Sequence, residues 1–514
     1  MTQVERAAAH NARWRWIGLI VLALALFMAS MDNTILNVAL PTLARDLRAT
    51  NDALQWTVDA YQVTYAGFLL LAGNLVDRWG RTRTFIAGVI AFGLCSLAAG
   101  LSVNTGMLIA ARACTGVGAA LLTPSTLALI SVLFRKPTER TTAFAIWSGA
   151  NGAGAAVGPL LSGALLAHFR WGSIFLINVP VAALCLIGTL IFIPHVIPER
   201  ADEKLDWLGT GLSIGGLSVL CWSVISAPGL GVGSPAVIVA FLGGIAMIVF
   251  FVWWQGKVES PILRLSLFEH RTFAVSVCVS GLVTGGGAGA LFVLTQLLQY
   301  VLGFTPWQSG LAIMPVAAMM LTGAVAAPLA LRHFGIKRAV MAGLLCVTAG
   351  FAWLALVPNE TSYPSLLPGA LLFGLGAGVL MPAATQAVMD SLPSESEGAG
   401  SATNSALMQV GSAMGVAVVG SLLAARYRGA METHQLVEAL DPQTRSGVLS
   451  SVAQAVDLAQ EPQYAGLLPL IREGYVDGMR IGLGVSALAV ACATIAVGIF
   501  FPAHPERPHN TADD

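Results

Sequence analysis

The chain has 514 residues, of which 56% are hydrophobic and only 11% are charged, and its mean hydropathy is +0.75. A soluble globular protein carries about 25% charged residues, so this composition excludes a soluble protein and indicates a polytopic membrane protein in a lipid bilayer. Basic and acidic residues balance at 27 each, and this balance points to no nucleic-acid partner.

The first apolar stretch is expected to be a membrane span and not a cleavable signal peptide. It is of span length, carries Asp32 and lacks a small-residue cleavage site. All seven cysteines of the chain fall inside apolar stretches. Their spacing predicts neither a disulfide framework nor a zinc site, and we expect no metal and no cofactor.

Apolar stretches of similar length then follow one another along the chain. A membrane-spanning helix needs about 20 apolar residues, and an open sheet edge cannot lie in lipid, so the predicted class is an all-α polytopic membrane protein. The fourteen predicted spans are 16–40, 53–76, 84–103, 107–134, 142–167, 173–194, 207–227, 235–254, 272–301, 308–331, 338–357, 365–389, 397–424 and 477–501.

Basic residues give the orientation, because Lys and Arg are enriched in cytoplasmic loops. With the N-terminus in the cytoplasm, 18 of the 27 Lys and Arg residues fall on the inner side, including Arg78, Arg81 and Arg83 between spans 2 and 3. An even number of spans then places the C-terminus inside as well. We therefore expect a multi-pass protein of the bacterial cytoplasmic membrane with both termini cytoplasmic.

The chain also contains an internal repeat. Segment 116–124 of span 4 matches segment 374–382 at an offset of 258 residues, and three glycines of span 5 match three of span 13 at an offset of 257. A repeat of spans in the same orientation is the arrangement of two-bundle secondary transporters. The matched glycines are Gly154, Gly158 and Gly163 in span 5, and Gly411, Gly415 and Gly420 in span 13.

The repeat predicts two six-helix bundles with two extra helices inserted between them. The expected segments are a cytoplasmic tail at 1–15, an N-terminal bundle at 16–194, an inserted hairpin with its linkers at 195–271, a C-terminal bundle at 272–501 and a cytoplasmic tail at 502–514. A long polar loop at 425–475, expected on the external side, interrupts the second bundle.

Three charged residues lie within the spans of the first bundle: Asp32, Asp59 and Arg112. Counted from the outer span ends, Asp32 lies roughly 12 Å deep, and Asp59 and Arg112 roughly 9 Å deep. Charges inside a membrane are costly unless they are paired or wet, so these residues are proton-coupling candidates. A guanidinium favours the ionised carboxylate and burial favours the protonated one, which would let the group load and release a proton. The alternative is a structural ion pair or, for Asp59, a solvated carboxylate near the span end.

Several motifs resemble those of the major facilitator superfamily, and specifically its fourteen-span drug:proton antiporter family. They cover nearly the whole chain in the family's order. The motifs are Met31-Asp32-Asn-Thr34 to Pro41 in span 1, Gly73-x-x-x-Asp77-Arg78-x-Gly80-Arg81-x-Arg83 in loop 2–3, Arg112-x-x-x-Gly116-x-Gly118 in span 4, Gly154-x-x-x-Gly158-Pro159 in span 5, and Trp171 to Pro180 in span 6. The chain departs from this pattern at Val416, where the repeat of Pro159 would be, and it has no acidic residue in 308–331.

This resemblance implies gating roles for the loop 2–3 and span 5 motifs. Glycines are expected to let helix ends approach closely, Asp77 to cap span 3 or pair with a base on the other bundle, and Pro159 to bend span 5. The alternatives are that the arginines only set topology and that the glycines only serve membrane packing. The gating candidates are Gly73, Asp77, Arg78, Gly80, Arg81, Gly154, Gly158 and Pro159.

Aromatic and amide side chains within the spans are candidates for a central substrate cavity. An amide in lipid needs a partner or water, whereas aromatic residues near span ends more often form the interfacial belt. The substrate-binding candidates are Asn37, Tyr61, Gln62, Tyr65, Trp147, Gln296, Gln299 and Gln409.

Our principal hypothesis is proton-coupled export of amphipathic small molecules by alternating access, by a protein that works as a monomer. The alternative is a proton-coupled nutrient or metabolite symporter of the same fold. An intramembrane enzyme is disfavoured because the eight histidines all lie in loops or at span ends. ATP is not expected to drive transport, since Gly116 and Gly118 lie within a span and not in a phosphate-binding loop.

Overall fold

The computed structural model describes residues 12–134, 136–194, 205–392 and 397–501. The tails, the joint at 195–204 and the side chain of Asp77 lie outside the described residues, so the expectations for them stay predictions. Secondary structure within the described ranges is helical, without strands. The all-α class predicted from composition is therefore confirmed.

Long helices make up most of the described residues. They are α1 (Ala12–Asp46), α2 (Asn51–Trp79), α3 (Arg81–Gly100), α4 (Thr105–Leu133), α5 (Pro137–His168), α6 (Asn178–Phe192), α7 (Trp207–Leu230), α8 (Pro235–Gln255), α9 (Arg271–Gln296), α10 (Pro306–Ala355), α11 (Tyr363–Asp390), α12 (Glu397–Glu432), the short α13 (Gln435–Glu438), α14 (Pro442–Ser450) and α15 (Val452–Leu458), and α16 (Leu467–Phe500). One helical turn, Ser173–Leu176, precedes α6, and a π-helical turn, Leu297–Val301, follows α9.

Twelve helices of the described ranges are long and apolar enough to cross a membrane. Helix α10 has 50 residues and would be about 75 Å long if straight, more than twice the hydrocarbon thickness. Its backbone is non-helical at Gly335, with φ 77° and ψ 167°, so it consists of two segments. Helix α2 is not among the twelve. All fourteen predicted spans coincide with helical stretches, while the number of crossings remains a prediction.

The repeated glycines occupy equivalent places in two related bundles. A Cβ on Gly158 would collide with α1 at Thr34, and a Cβ on Gly415 would collide with the α9 backbone at Gly285. Helix α5 therefore packs on α1 as α12 packs on α9. The third glycine of each set faces the other bundle instead. A Cβ on Gly163 would lie 2.7 Å from the carbonyl oxygen of Pro306 on α10, and one on Gly420 would lie 2.8 Å from the amide carbon of Gln55 on α2.

The two bundles meet along α2–α12 and α5–α10. We call the end of the molecule that carries Arg78, Arg81 and Arg83 the basic end, and the opposite end, which carries residues 433–466, the loop end. The bundle contacts at Gly163 and Gly420 both lie toward the loop end. Toward the basic end the face of α5 that carries Gly163 is open, since a Cβ on Gly149 or Gly152 would meet no atom within 4 Å.

The inserted hairpin consists of α7 and α8 and lies beside the α2–α12 contact. Helix α7 packs on both α2 and α12, and α8 packs on α7. The carboxylate of Asp206 caps α7 by accepting from the Gly209 amide at 2.8 Å. It also accepts from Trp254 Nε1 at 2.9 Å and from Gln255 Nε2 at 2.6 Å. This buried carboxylate fastens the beginning of α7 to the end of α8.

The segment 425–475, expected to be a long polar external loop, is largely helical. Helices α12 and α16 extend into the segment 425–475, so that 433–466 remains between them, and this part contains α13, α14 and α15. The buried Tyr427 of α12 donates a hydrogen bond to the carbonyl of Val448 on α14 at 3.1 Å. The loop is therefore folded onto the second bundle.

Candidate functional site

A buried ion pair joins α1 to α4 within the first bundle. Arg112 Nη1 donates to Asp32 Oδ2, and the side chains are 1% and 0% exposed. Asn178 of α6 donates to the other carboxylate oxygen at 2.8 Å and lies 3.3 Å from Ser96 Oγ on α3. Both oxygens of Asp32 are therefore satisfied, as a buried charge requires.

The guanidinium of Arg112 is held from several sides. Its Nε donates to the carbonyl oxygen of Thr57 on α2 at 3.3 Å. The guanidinium carbon, Arg112 Cζ, lies 4.4 Å from the ring centroid of Tyr61 and 5.7 Å from that of Phe175. Aromatic faces attract a cation at such distances. Four helices and the Ser173–Leu176 turn thus converge on one fixed pair.

Asn178 is a site residue that the search for charged residues missed. It is fully buried and completes the coordination of Asp32. The signal was present in the sequence, because an amide inside an apolar span must find a partner. Thr57 could not be found in this way, since it contributes a backbone carbonyl.

Asp59 does not join this pair, contrary to the expectation of one shared group. Residues two positions apart on a helix face nearly opposite directions, and Asp59 lies two positions from both Thr57 and Tyr61, which face Arg112. Its side chain is 0% exposed, and neither carboxylate oxygen has a hydrogen-bond partner. The structure brings two of the three predicted charges together and leaves the third alone.

Asp59 lies at the contact between the two bundles. Val63 and Ala66, which share its face of α2, pack in one apolar cluster with Cys221 of α7 and Ala413 of α12. Cys221 is close enough to Asp59 to interact with it electrostatically. Asp59 is thus a buried, unpartnered carboxyl group in a seam between α2, α7 and α12.

Several substrate-binding candidates bond to other helices of the first bundle. Gln62 Nε2 donates to Asn33 Oδ1 at 2.7 Å, while its own Oε1 has no partner. Tyr65 and Thr123 hydroxyls lie 2.7 Å apart, and Trp147 Nε1 donates to Thr126 Oγ1 at 3.0 Å.

Two further candidates of this bundle have no bond to another helix. Asn37 donates weakly to the Thr34 carbonyl of its own helix at 3.4 Å. The Tyr61 hydroxyl is buried without a partner. Among the first-bundle candidates, Gln62 and Tyr61 therefore keep unused hydrogen-bonding capacity.

The three substrate-binding candidates of the second bundle differ in their hydrogen-bond partners and exposure. Gln296 donates to Phe292 of its own helix at 3.1 Å. Gln299 donates to the Val38 carbonyl of α1 at 2.8 Å, so it ties the two bundles together. Gln409 is partly exposed.

The loop 2–3 motif forms a sharp helix junction. Gly80 has φ 92° and ψ 143°, a conformation that favours glycine, and Arg81 donates to the Ala128 carbonyl of α4 at 3.3 Å. Segment 332–338, Arg-His-Phe-Gly-Ile-Lys-Arg, faintly repeats the loop 2–3 motif, and its Gly335 has nearly the same backbone conformation. The expectation of close helix approach is wrong for Gly73 in this conformation, because a Cβ there would meet nothing within 4 Å. Arg78 is partly exposed.

The span 5 motif lies at two helix contacts. Cβ atoms on Gly154 and Gly158 would collide with α1. The Pro159 carbonyl oxygen lies 2.6 Å from where a Cβ of Gly310 on α10 would stand. The motif therefore packs α5 within its own bundle and against the other one, while its gating role stays a prediction.

Comparison with known proteins agrees with this architecture. The family model of the Major Facilitator Superfamily matches residues 22–416. The chain belongs to this superfamily. Membership confirms the resemblance noted in the motifs, and it confirms that this is a multi-pass membrane transporter of small molecules and not an enzyme.

Curated relatives of this transporter are efflux and resistance proteins. It is 32% identical over 492 residues to the multidrug efflux pump LfrA of Mycolicibacterium smegmatis, which covers 95% of this chain and 96% of the relative. It is 36% identical to a puromycin resistance protein of Streptomyces alboniger, over 82% and 84% of the two chains. It is 30% identical to the methyl viologen resistance protein SmvA of Salmonella typhimurium, over 95% and 98%.

Solved structures share the fold of this transporter. A bacterial homologue of the human lysosomal transporter Spinster, in an inward-facing and unoccupied conformation, superposes with a TM-score of 0.66 at 16% identity, covering 95% of this chain and 98% of that one. A peptide transporter in complex with sulfate superposes with a TM-score of 0.61 at 15% identity, over 94% and 95% of the two chains.

Proposed function

We propose that this transporter exports amphipathic small molecules, such as drugs, antiseptics or toxic metabolites, in exchange for protons. The observation that carries the proposal is Asp59, a fully buried carboxyl group without a partner in the seam between the two bundles. An ionised carboxylate is very costly in such a place, so Asp59 holds a proton in this conformation. A proton-binding group at a moving contact is what coupling requires.

The basic end is proposed to face the cytoplasm, and the transporter to act as a monomer in the bacterial cytoplasmic membrane with both termini inside. This orientation follows the distribution of Lys and Arg. The bundles then touch at the outer end and are open toward the cytoplasm. The conformation is thus one in which substrate enters from the cytoplasmic side.

The proton cycle follows from this arrangement. Opening of the α2–α12 contact at the loop end would separate Gln55 from Gly420 and admit external water toward Asp59, which takes up a proton there. Closure buries the protonated carboxyl group again, because its neutral form tolerates the apolar seam. Substrate entering from the cytoplasm promotes release of the proton inward, and the unprotonated group then favours the outward-open state.

Asp32 and Arg112 have a different role in this proposal. Their charges satisfy each other, and Asn178 occupies the remaining carboxylate oxygen. The pair therefore holds α1, α4 and α6 in register and keeps the ring of Tyr61 in place beside the guanidinium. Of Asp32 and Asp59, it is Asp59 that carries the proton in this proposal.

Relatives of this chain are named for puromycin and methyl viologen resistance and for multidrug efflux. Aromatic and amide side chains such as Tyr61, Tyr65 and Gln62 suit flat amphipathic compounds. Segment 308–331 has no acidic residue, and few carboxylates are thus available to a doubly charged substrate. We expect puromycin, which carries one positive charge, to be exported better than the dication methyl viologen.

The proposal is tested in proteoliposomes with an imposed pH gradient. Wild-type protein should move puromycin against its gradient while protons move the opposite way, and collapse of the pH gradient should stop it. D59N should abolish gradient-driven movement, because an amide cannot take up the proton. D390N, at an exposed position at the end of α11, is the matched control and should transport like wild type.

Two outcomes would overturn the proposal. Puromycin export by D59N that still follows the pH gradient would remove Asp59 from the proton path. Movement of substrate and protons in the same direction would indicate a symporter of this fold instead.

A further inference from the structure

Helix α7 of the inserted hairpin covers Asp59 from the side, and this placement suggests a role for the hairpin. We infer that α7 is the lateral wall of the proton site, and that Leu217, Cys221 and Ile225 are positioning residues that keep water away from Asp59. The inference rests on the proposed proton coupling and adds the device that prevents protons from leaking.

The helical phase of α2 places Asp59 against this wall. Asp59, Val63 and Ala66 are spaced by four and three residues and so share one face. Val63 and Ala66 pack in a single cluster with Leu217, Cys221 and Ile225 of α7, the last three being 5%, 0% and 0% exposed.

Wall residues bring no competing charge to the seam. Helix α7 contributes the thiol of Cys221, and α12 contributes the methyl groups of Ala413 and Ala417. Toward the loop end the seam is closed by Gln55, whose side chain packs on Gly420 and accepts weakly from Ser421 Oγ at 3.5 Å. The carboxyl group is therefore enclosed laterally by α7 and at the loop end by a bundle contact that can open.

The position of α7 suits a wall that remains in place while the bundles move. It touches both α2 and α12, and so it spans the seam between the two bundles. Helix α8 supports it from behind, since a Cβ on Gly244 would lie 2.7 Å from Leu220. The Asp206 hydrogen bonds fasten the basic end of this hairpin.

A gap in the wall should uncouple proton entry from transport. A six-helix bundle pair without α7 would leave this face of α2 beside lipid and water at a site that holds a proton. Water reaching Asp59 in every conformation would let it exchange protons with both sides of the membrane. Protons would then enter without substrate, and the leak would require the carboxyl group of Asp59.

The test compares side-chain substitutions on the two helices of the hairpin. L217A and I225A remove buried volume next to Asp59, whereas L242A makes the same Leu-to-Ala change on α8, where the side chain is 59% exposed. Purified proteins are reconstituted in liposomes with an internal pH dye and an acidic exterior, without substrate. We expect several-fold faster proton entry for L217A and I225A than for wild type and L242A, and a return to the wild-type rate in D59N/L217A and D59N/I225A.

The outcomes separate this inference from the proposed function. If L217A and I225A each elute as a single folded species and exchange puromycin normally, and proton entry in both is as slow as in wild type, the inference that α7 shields Asp59 is wrong. A leak that persists in the D59N double variants would overturn it as well, because the path would then bypass Asp59. If wild type itself shows no proton-coupled puromycin exchange, the proposed function fails independently of either truncation.

Discussion

At the scale of single residues, Asp32 and Arg112 form a pair in which each charge depends on the other. Removing one partner of a buried ion pair costs about 3–5 kcal/mol, because the remaining charge is left uncompensated. Removing both charges together is often nearly neutral. The pair therefore offers a direct way to separate a structural role from a role in the proton cycle.

We expect D32N and R112Q each to lower the thermal stability and the yield of folded protein, and D32N/R112Q to recover most of both. The physical reason is that the double variant leaves no unpaired charge among α1, α4 and α6. Fluorescence-monitored melting of the purified proteins in detergent measures the effect. S96A, which removes only a weak contact to Asn178 at 3.3 Å, serves as the control. A double variant no more stable than the two single ones would contradict a self-contained pair.

The residue scale also shows what depth arithmetic can and cannot predict. Residue spacing along a span gave Asp32, Asp59 and Arg112 similar depths, and two of them do meet. Depth does not specify the direction of a side chain around the helix, which turns by about 100° per residue. Asp59 therefore faces α7 and α12, and only the packing of α2 against its neighbours could reveal this.

At the scale of elements, hydropathy located the helices but not their ends. Helix α12 continues through Arg426 and Arg428 to Glu432, because polar residues beyond the membrane can still be helical. For this reason the predicted bounds 425 and 475 do not coincide with the helix ends at Glu432 and Leu467. The break in α10 falls between the predicted spans 308–331 and 338–357, but the positive φ of Gly335 was hidden, since a glycine between two apolar runs does not by itself indicate it.

The loop at 433–466 also bridges the bundles at its own end of the molecule. Helix α15 contacts α16 of the second bundle and α1 of the first. Arg45 Nε at the end of α1 lies 3.3 Å from Asp457 Oδ1 on α15. Both side chains are more than two-fifths exposed, so the ion pair contributes at most about 1 kcal/mol. The contact is informative because it must separate when the loop end opens.

We expect a covalent link between positions 45 and 457 to stop export. R45C/D457C, joined by a short bis-methanethiosulfonate reagent in a cysteine-free background, should lose puromycin export and recover it after reduction. The matched control is R428C/E432C, where the native pair lies on α12 alone, with an N–O distance of 2.6 Å, and a link should leave transport unchanged. Full export by the linked R45C/D457C protein would show that α1 and α15 stay together throughout the cycle.

At the scale of the whole molecule, the repeat predicted the pairing of bundles because close helix packing demands glycine at particular positions. Gly158 and Gly415 could be matched in the sequence since each allows two backbones to touch. The place of α7 could not be predicted in this way, because the hairpin has no counterpart in the repeat. Its packing across α2 and α12 emerges only from the folded chain.

The orientation and the open end lead to a last prediction about access from the two sides of the membrane. Ser148 and Asn151 of α5 are exposed on the open basic half, whereas Ser421 is only 7% exposed in the seam at the loop end. In a cysteine-free background, S148C and N151C should react with a membrane-impermeant thiol reagent in inside-out vesicles and not in intact cells. S421C should be protected on both sides at rest and react from outside during turnover. V103C, 79% exposed between α3 and α4, is the control that must react in intact cells.

Each result of this labelling bears on a separate part of the argument. Reaction of S148C in intact cells and of V103C only in inside-out vesicles would reverse the orientation. Failure of S148C and N151C to react from either side would mean that this face of α5 lies against lipid and that the basic end is not the open one. Protection of S421C even during turnover would remove the α2–α12 opening through which Asp59 is proposed to receive its proton.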